Sequence, residues 1–197
     1  MIDKFIDHLN GLLPLDAQDI ALLKKHVEVQ AFKRGDVLLA AGQVSTSFFF
    51  NLKGFVRLFY LKDGAEKTAY FYNEGKFISA YESFVKQEPC AFSFQAMEET
   101  AVVNLSVEAS QVLLAHSPKF EILARVAMEE ELIAHQKVIQ ALLTMTPEER
   151  YYHLIKANPE IMQRVPQRYI AEYIGVQPES LSRIKKRYMT RNLNQSQ

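Results

Sequence analysis

Between Gln167 and Lys186 the chain reads QRYIAEYIGVQPESLSRIKK, where charged and hydrogen-bonding side chains alternate with an apolar seam. Read as two helices joined by a tight turn, each structural position is filled. Ala171 is the small residue that lets the second helix approach the first. Gly175 falls where the turn demands a left-handed backbone. Ile170, Ile174, Val176, Leu181 and Ile184 recur at the spacing of a buried seam. Gln177 precedes Pro178, which suits a first helical position, and Glu179 follows where negative charge favours the helix dipole. This is the pattern of a helix-turn-helix, and Arg168, Arg183, Lys185, Lys186 and Arg187 give it a basic surface. The chemistry open to such a surface is recognition of an anionic polymer. The alternative is a solvated helix face with no nucleic-acid role.

Bulk charge argues less clearly. The 197 residues hold 23 Lys and Arg against 23 Asp and Glu, which excludes a generally polybasic protein. The balance is uneven, however. Residues 1–146 carry a net charge of −4 and residues 147–197 a net charge of +4; within 164–191 seven basic residues face two acidic ones. A neutral chain with one basic end implies a local electrostatic footprint. The single cysteine, Cys90, excludes an intrachain disulfide framework, a multi-cysteine zinc site and an iron–sulfur cluster held by the chain's own thiolates. The opening MIDKFIDHLNG has no apolar core of signal-peptide length, and no run of about 18 apolar residues occurs. The expectation is a soluble, cytoplasmic protein in a reducing compartment, with no membrane partner.

The elements that must position the basic segment are marked by glycine and proline. Five of the seven glycines lie between Gly35 and Gly75. Between and after them come strand-length runs at 36–40, 48–53, 55–61, 67–71, 91–96 and 101–106, the spacing of an antiparallel sandwich or roll. Asp63-Gly64 signals a hairpin. Helices are predicted at 15–26 behind an Asp16 cap and at 107–115. Ser117-Pro118 then starts a run to about Met145 without internal Pro or Gly, along which Ile122, Val126, Ile133, Ile139 and Leu143 form an apolar stripe. That stripe needs a partner, either the roll itself or the same helix of a second copy. Thr146-Pro147-Glu148-Glu149 opens the next helix with a capping box, and Asn158-Pro159 closes it. The fold class expected is α+β: an antiparallel β-roll over 1–116, a dimerisation helix over 117–145 and a helix-turn-helix domain over 146–197.

This order of elements, with IAEYIGVQPESLSRIKK and GKFISAYESF within it, resembles the transcription regulators of the cyclic-AMP receptor protein and fumarate–nitrate regulator (Crp/Fnr) superfamily over nearly the whole chain. The resemblance implies a homodimer binding a palindromic site on double-stranded DNA, with RNA polymerase as a further candidate partner. In the family the second helix of the motif reads bases with an Arg/Glu/Arg set, which falls here on Pro178, Glu179 and Arg183, joined by Gln177 and Ser180. Glu179 suits a cytosine amine and Arg183 a guanine, each worth about 1–3 kcal/mol of discrimination. Pro178 departs from the family's first arginine, so the sequence recognised need not be the familiar one. Arg168, Lys185, Lys186 and Arg187 are the phosphate-contact candidates, giving affinity without sequence information. The family's hairpin wing after the motif is expected to be truncated or absent, since only ten residues follow Arg187.

The resemblance also implies a jelly-roll effector pocket of the cyclic-nucleotide-binding type. Aligned from Gly75 without gaps, the family's glycine–glutamate pair becomes Ser79 and Ala80, next to Tyr81, and its arginine–serine pair becomes Cys90 and Ala91. A phosphate without those partners is desolvated with little return. The expectation is a degenerate pocket that does not take cyclic AMP, with no cofactor and no iron–sulfur cluster, an unidentified small ligand remaining open. Phe77, Tyr81, Phe84, Phe92 and Phe94 serve either as core or as the lining of an apolar site. Metal-dependent cupin enzymes share such rolls but need strand histidines; the five histidines lie at 8, 26, 116, 135 and 153, none within 27–115. No enzyme activity is expected. The rival reading is a cyclic-nucleotide or other small-ligand sensor that acts through protein partners instead of DNA.

Overall fold

The computed structural model describes residues 1–195, apart from the side chains of Met189 and residues 191–195. Arg191, counted above in the basic end, therefore has its side chain outside the described residues. Two helices come first, α1 (Ile2–Leu12) and α2 (Ala17–His26). Eight strands with one short helix among them follow: β1 (Glu28–Phe32), β2 (Val37–Leu39), β3 (Ser47–Lys53), β4 (Val56–Lys62), β5 (Ala65–Tyr72), β6 (Phe77–Ile78), α3 (Tyr81–Lys86), β7 (Ser93–Ala96) and β8 (Thr100–Ser106). The remainder is helical: α4 (Val107–His116), α5 (Pro118–Thr144), α6 (Pro147–Ala157), α7 (Ile161–Arg164), α8 (Gln167–Ile174) and α9 (Pro178–Gln195).

The strands form two four-stranded antiparallel sheets, ordered β1-β8-β3-β6 and β2-β7-β4-β5. Period-two alternation assigns each side chain a layer. Phe49 on β3, Leu58 on β4, Tyr72 on β5 and Phe94 on β7 meet between the sheets. Phe50, on the opposite face of β3, packs with Phe5, Leu9, Leu23 and Phe120 from α1, α2 and α5. Phe71, on the opposite face of β5, packs with Tyr151, Ile161, Tyr169 and Ile170 from the C-terminal helices. The jelly roll thus carries one helical layer on each outer face, and both layers cover aromatic residues of its strands.

Local chemistry sets the element boundaries where the sequence signals lie. Asp16 caps α2 through the backbone amides of Gln18 and Asp19, and Lys119 of α5 bridges Asp16 and Asp19 at 2.9 and 2.7 Å. Asp63 and Gly64 both adopt positive φ (53° and 76°), the requirement of the two-residue turn joining β4 to β5. Ser117 caps α5 with Pro118 in its first turn, and Thr146 and Glu149 complete the capping box of α6. The elements expected from sequence do not include α1, α3, α7, β1 or β6, although Ile2, Phe5, Ile6 and Leu9 of α1 recur at the spacing of an amphipathic helix. The first three are short or end-placed helices stabilised by packing, and β1 alternates only weakly in burial as an edge strand. Among the described residues no strand follows α9; the helix itself occupies the chain where a wing would stand.

Gly54, between β3 and β4, is at φ +99°, and a Cβ there would lie 2.5 Å from the Thr100 hydroxyl and 2.8 Å from the Glu99 carbonyl. Gly54→Ala combines backbone strain with a steric clash and is expected to lower unfolding free energy by about 2–3 kcal/mol. Urea titration followed by circular dichroism checks this; an unchanged midpoint would show that the β3–β4 turn relaxes freely.

Candidate nucleic-acid interface and its anchorage on the roll

Helix α8 ends as the turn motif requires. Gly175 sits at φ +76°, its N–H donates to the Glu172 carbonyl at 3.0 Å, and Val176 N–H donates to the Ala171 carbonyl at 2.9 Å. This paired arrangement is a Schellman motif, and it turns the chain into α9. Ile170, Ala171, Ile174, Leu181 and Ile184 are all buried in one cluster, with Val176 packed at its edge. The seam read from the sequence is the seam observed. Arg150 of α6 donates to the Ile174 carbonyl through Nε and Nη2 (3.1 and 2.7 Å) and to the Met145 carbonyl through Nη1 (2.7 Å). One guanidinium therefore ties the end of α8 to the end of the long helix α5.

Burial of Leu181 and Ile184 leaves the opposite face of α9 outward. Gln177, Glu179 and Arg183 are exposed and Ser180 is half-buried. The Ser180 hydroxyl accepts from Arg183 Nη2 at 3.2 Å, one helical turn away. Lys186 is exposed and Lys185 half-buried. Arg187 is exposed but paired with Glu148 of α6 at 2.8 Å. Arg168, on α8, is exposed with its guanidinium 4.5 Å from the Tyr169 ring centroid. An 18-residue helix at about 1.5 Å per residue presents a ridge long enough to enter a groove. The arrangement offers donors and acceptors at the N-terminal turns and cations beyond them.

Patterning within single elements does not register the contacts that hold this unit against the roll. Arg57 of β4 is fully buried. Its Nε and Nη2 donate to Gln95 at 3.0 and 2.7 Å, Nη2 also pairs with Glu66, and Nη1 donates to the Thr68 hydroxyl at 3.2 Å. Glu172 of α8 reaches across to accept from the Thr68 hydroxyl at 2.6 Å and lies 3.6 Å from Arg57 Nη1. The guanidinium carbon stands 3.7 Å from the Tyr169 ring centroid and 4.1 Å from that of Phe59. A second arginine, Arg164 at the end of α7, is gripped by Glu74, Glu98 and Glu160 and lies over Phe55 at 4.4 Å. Arg164 and Glu172, part of the charge count along the basic end, point into the roll and not to the outer surface.

Of the roll-pocket positions, Ala80 and Cys90 share the buried cluster between the sheets. Gly75 donates to the Asn51 carbonyl at 2.8 Å and has φ +78°. Ser79 and Ala80 are buried, and the Ser79 hydroxyl has no hydrogen-bond partner. Cys90 is buried with its thiol 3.0 Å from the Phe92 carbonyl oxygen and 3.5 Å from that of Ala40, and Ala91 is exposed. Tyr81 is exposed with its ring against Phe48, and Phe84 from the same helix lies 4.1 Å from Phe48 in a tilted contact. Between the sheets Tyr72, Phe92 and Phe94 form a chain of edge contacts at 5.8 and 5.4 Å. Tyr70 adds a perpendicular contact at 5.4 Å with His135 of α5. Burial raises the Tyr72 hydroxyl pKa well above its ordinary value, keeping it a donor.

Comparison with known proteins matches these features. Residues 29–117 match the cyclic nucleotide-binding domain family. No curated protein sequence matches the chain. Among solved structures, the c-di-GMP responsive global regulator CLP of Xanthomonas campestris superposes with a TM-score of 0.72 at 15% identity, over 90% of this chain and 94% of that one. FixK2 of Bradyrhizobium japonicum gives 0.71 at 14% identity over 84% and 86%. A Crp/Fnr-family regulator of Eubacterium rectale gives 0.68 at 16% identity over 90% and 85%. The resemblance to the Crp/Fnr regulators is thus borne out in the fold. No helix among the described residues is long and apolar enough to cross a membrane.

Glu172→Ala removes the α8 carboxylate from a buried guanidinium and should cost about 3 kcal/mol, with faster amide exchange concentrated in α8. Hydrogen exchange read by mass spectrometry checks this, and uniform exchange across the chain would refute a local anchor. The Arg164 clamp adds a pH dependence. Burial alone would raise the Glu74 pKa, but hydrogen bonds from Arg164 and the Gly54 amide outweigh it and hold the carboxyl below its ordinary 4.5. Its stabilisation is therefore complete above pH 4.5 and lost as pH falls through the depressed value, an acid-side loss that Arg164→Met should reduce.

Proposed function

From the Crp/Fnr fold as premise, we propose that the protein is a homodimeric, sequence-specific DNA-binding regulator of transcription, with RNA polymerase as a further partner and its place in the cytoplasm. The reading divides the chain into a roll over 1–116, a dimerisation helix over 117–145 and a DNA-binding domain over 146–197. The observation that carries it is the exposed face of α9, where Gln177, Glu179, Ser180 and Arg183 stand over a fully buried helix-turn-helix seam. Glu179 and Arg183 read base edges in the major groove, with Gln177 and Ser180 beside them. Arg168, Lys185 and Lys186 contact phosphate. Arg187 does so by exchanging its Glu148 partner for the duplex. The exposure of α9 favours this reading over a sensor that works through protein partners, which has no use for a basic ridge.

The second copy is supported by α5. Its first turns are covered by the roll through Phe120 and Leu123, whereas Leu132, Ile133, Ile139, Leu142 and Leu143 are exposed, Leu143 by 80%. An apolar stripe of that length calls for the same helix of a partner. The roll serves as a sensor with a degenerate nucleotide pocket. At the positions where the family grips phosphate, this chain has Ser79, Ala80, Cys90 and Ala91, so an anionic nucleotide finds no guanidinium. Cyclic AMP is not its ligand.

Selection of bound sites from random DNA should yield a palindrome with half-sites about 34 Å apart. Arg183→Ala should flatten the preference at one base position by about 1–3 kcal/mol, while Lys186→Ala weakens all sites alike and lowers the salt slope by about one ion. Unchanged site preference in Arg183→Ala would remove that residue from base reading. Sedimentation should report a dimer at micromolar concentration and a monomer for Ile139→Asp; a dimer unaffected by the substitution would place the interface elsewhere.

A further inference from the structure

The outer face of the first sheet is incompletely closed. Between α1, α2, α3, α4 and the first half of α5 lies a cavity of about 310 Å³, separate from the aromatic cluster between the sheets. Phe48 and Phe77 of the sheet, Phe5 of α1, Tyr81 and Phe84 of α3 and Phe120 of α5 give it an aromatic wall. Ala124 and Ala127 of α5 leave it room, because their methyl groups stand where longer side chains would fill the space. None of its lining residues is a lysine or arginine. One carboxyl, that of Glu131 on α5, lines it. Glu131 Oε1 accepts from the Tyr72 hydroxyl at 3.2 Å, and Tyr72 belongs to the buried cluster between the sheets.

We propose that this cavity binds a small organic cation, an apolar amine whose aryl or alkyl body lies against the aromatic wall and whose ammonium pairs with Glu131. The volume suits a body of about ten to fifteen non-hydrogen atoms, at the small end of ligand pockets. Three features select the charge. Aromatic ring faces carry negative quadrupole and attract a cation. A lone carboxyl in an apolar wall repels an anionic phosphate or carboxylate and gains most from a ligand that brings its own positive charge. Burial also pushes the Glu131 carboxyl up to about 7, against the opposing Tyr72 hydrogen bond, so its ionisation is held back for want of a cation. An ammonium supplies that cation and competes with Tyr72 for the same carboxylate. Occupancy on the outer face is thereby communicated to the interior of the roll. The site is independent of whether α9 reads DNA.

The test is isothermal titration of the full chain with 4-phenylbutylamine and with its anionic counterpart 4-phenylbutyrate. The amine should bind one per chain and the carboxylate give no heat. Glu131→Gln should weaken the amine at least tenfold, and Ala127→Phe, which fills the cavity, should abolish binding while circular dichroism shows a folded chain. Equal binding of both probes, no binding of the amine, or full affinity in Glu131→Gln would each overturn the proposal. So would conversion of a dimer to a monomer by Ala127→Phe with no amine bound by the parent chain, since the cavity would then belong to a second copy. Glu131→Gln conserves shape and keeps the test decisive where Ala127→Phe fails to fold.

Discussion

Arg57 is a full charge with no exposed surface, held between the ring faces of Phe59 and Tyr169. A guanidinium in that position is tolerable only if every donor finds an acceptor, because its desolvation costs several kcal/mol. Gln95, Thr68 and Glu66 of the roll supply part of the set, and Glu172 with Tyr169 of α8 supply the rest. Sliding α8 along β5 by one residue would take the ring off the guanidinium and the carboxylate away from Thr68. The interaction therefore specifies register between two parts of the chain more than it adds stability, the role in which buried ionic groups are best attested.

Given that register, the outward face of α9 follows. Glu172 and Tyr169 fix α8 on the roll, the Schellman turn at Gly175 fixes α9 on α8, and Arg150 fixes the end of α8 to the end of α5. Arg164 closes the other side through Glu74 and Glu98. The proposed DNA-facing ridge is thus tied both to the sheet and to the helix proposed to pair with a second copy. Any shift of α5 relative to the roll has a direct route to α9 through one arginine.

The interior of the roll is packed. The Cys90 thiol lies near the backbone carbonyls of Phe92 and Ala40, and Tyr72, Phe92 and Phe94 pack edge to face between the sheets. The free space instead lies outside, under α1 and α5, with Glu131 hydrogen-bonded to Tyr72 through the layer between.

How much was legible in the linear order depends on the range of the interaction. Asp16, Asp63-Gly64, Ser117-Pro118, Thr146 with Glu149, and Gly175 act within four residues, through capping hydrogen bonds and positive φ, so their elements could be placed from residue type alone. The helix-turn-helix seam was equally plain, since Ile170 to Ile184 spans one local motif. The short helix α3 escaped because its packing partner Phe48 lies far along the chain, whereas α1 carries a legible apolar stripe in Ile2, Phe5, Ile6 and Leu9. Arg164 and Glu172 counted in sequence as surface charge; their partners on the roll lie 66 to 115 positions away, and no periodicity marks an ion pair closed at that distance. The cavity beside Glu131 was invisible for the same reason, being a property of how five helices fail to fill one sheet face.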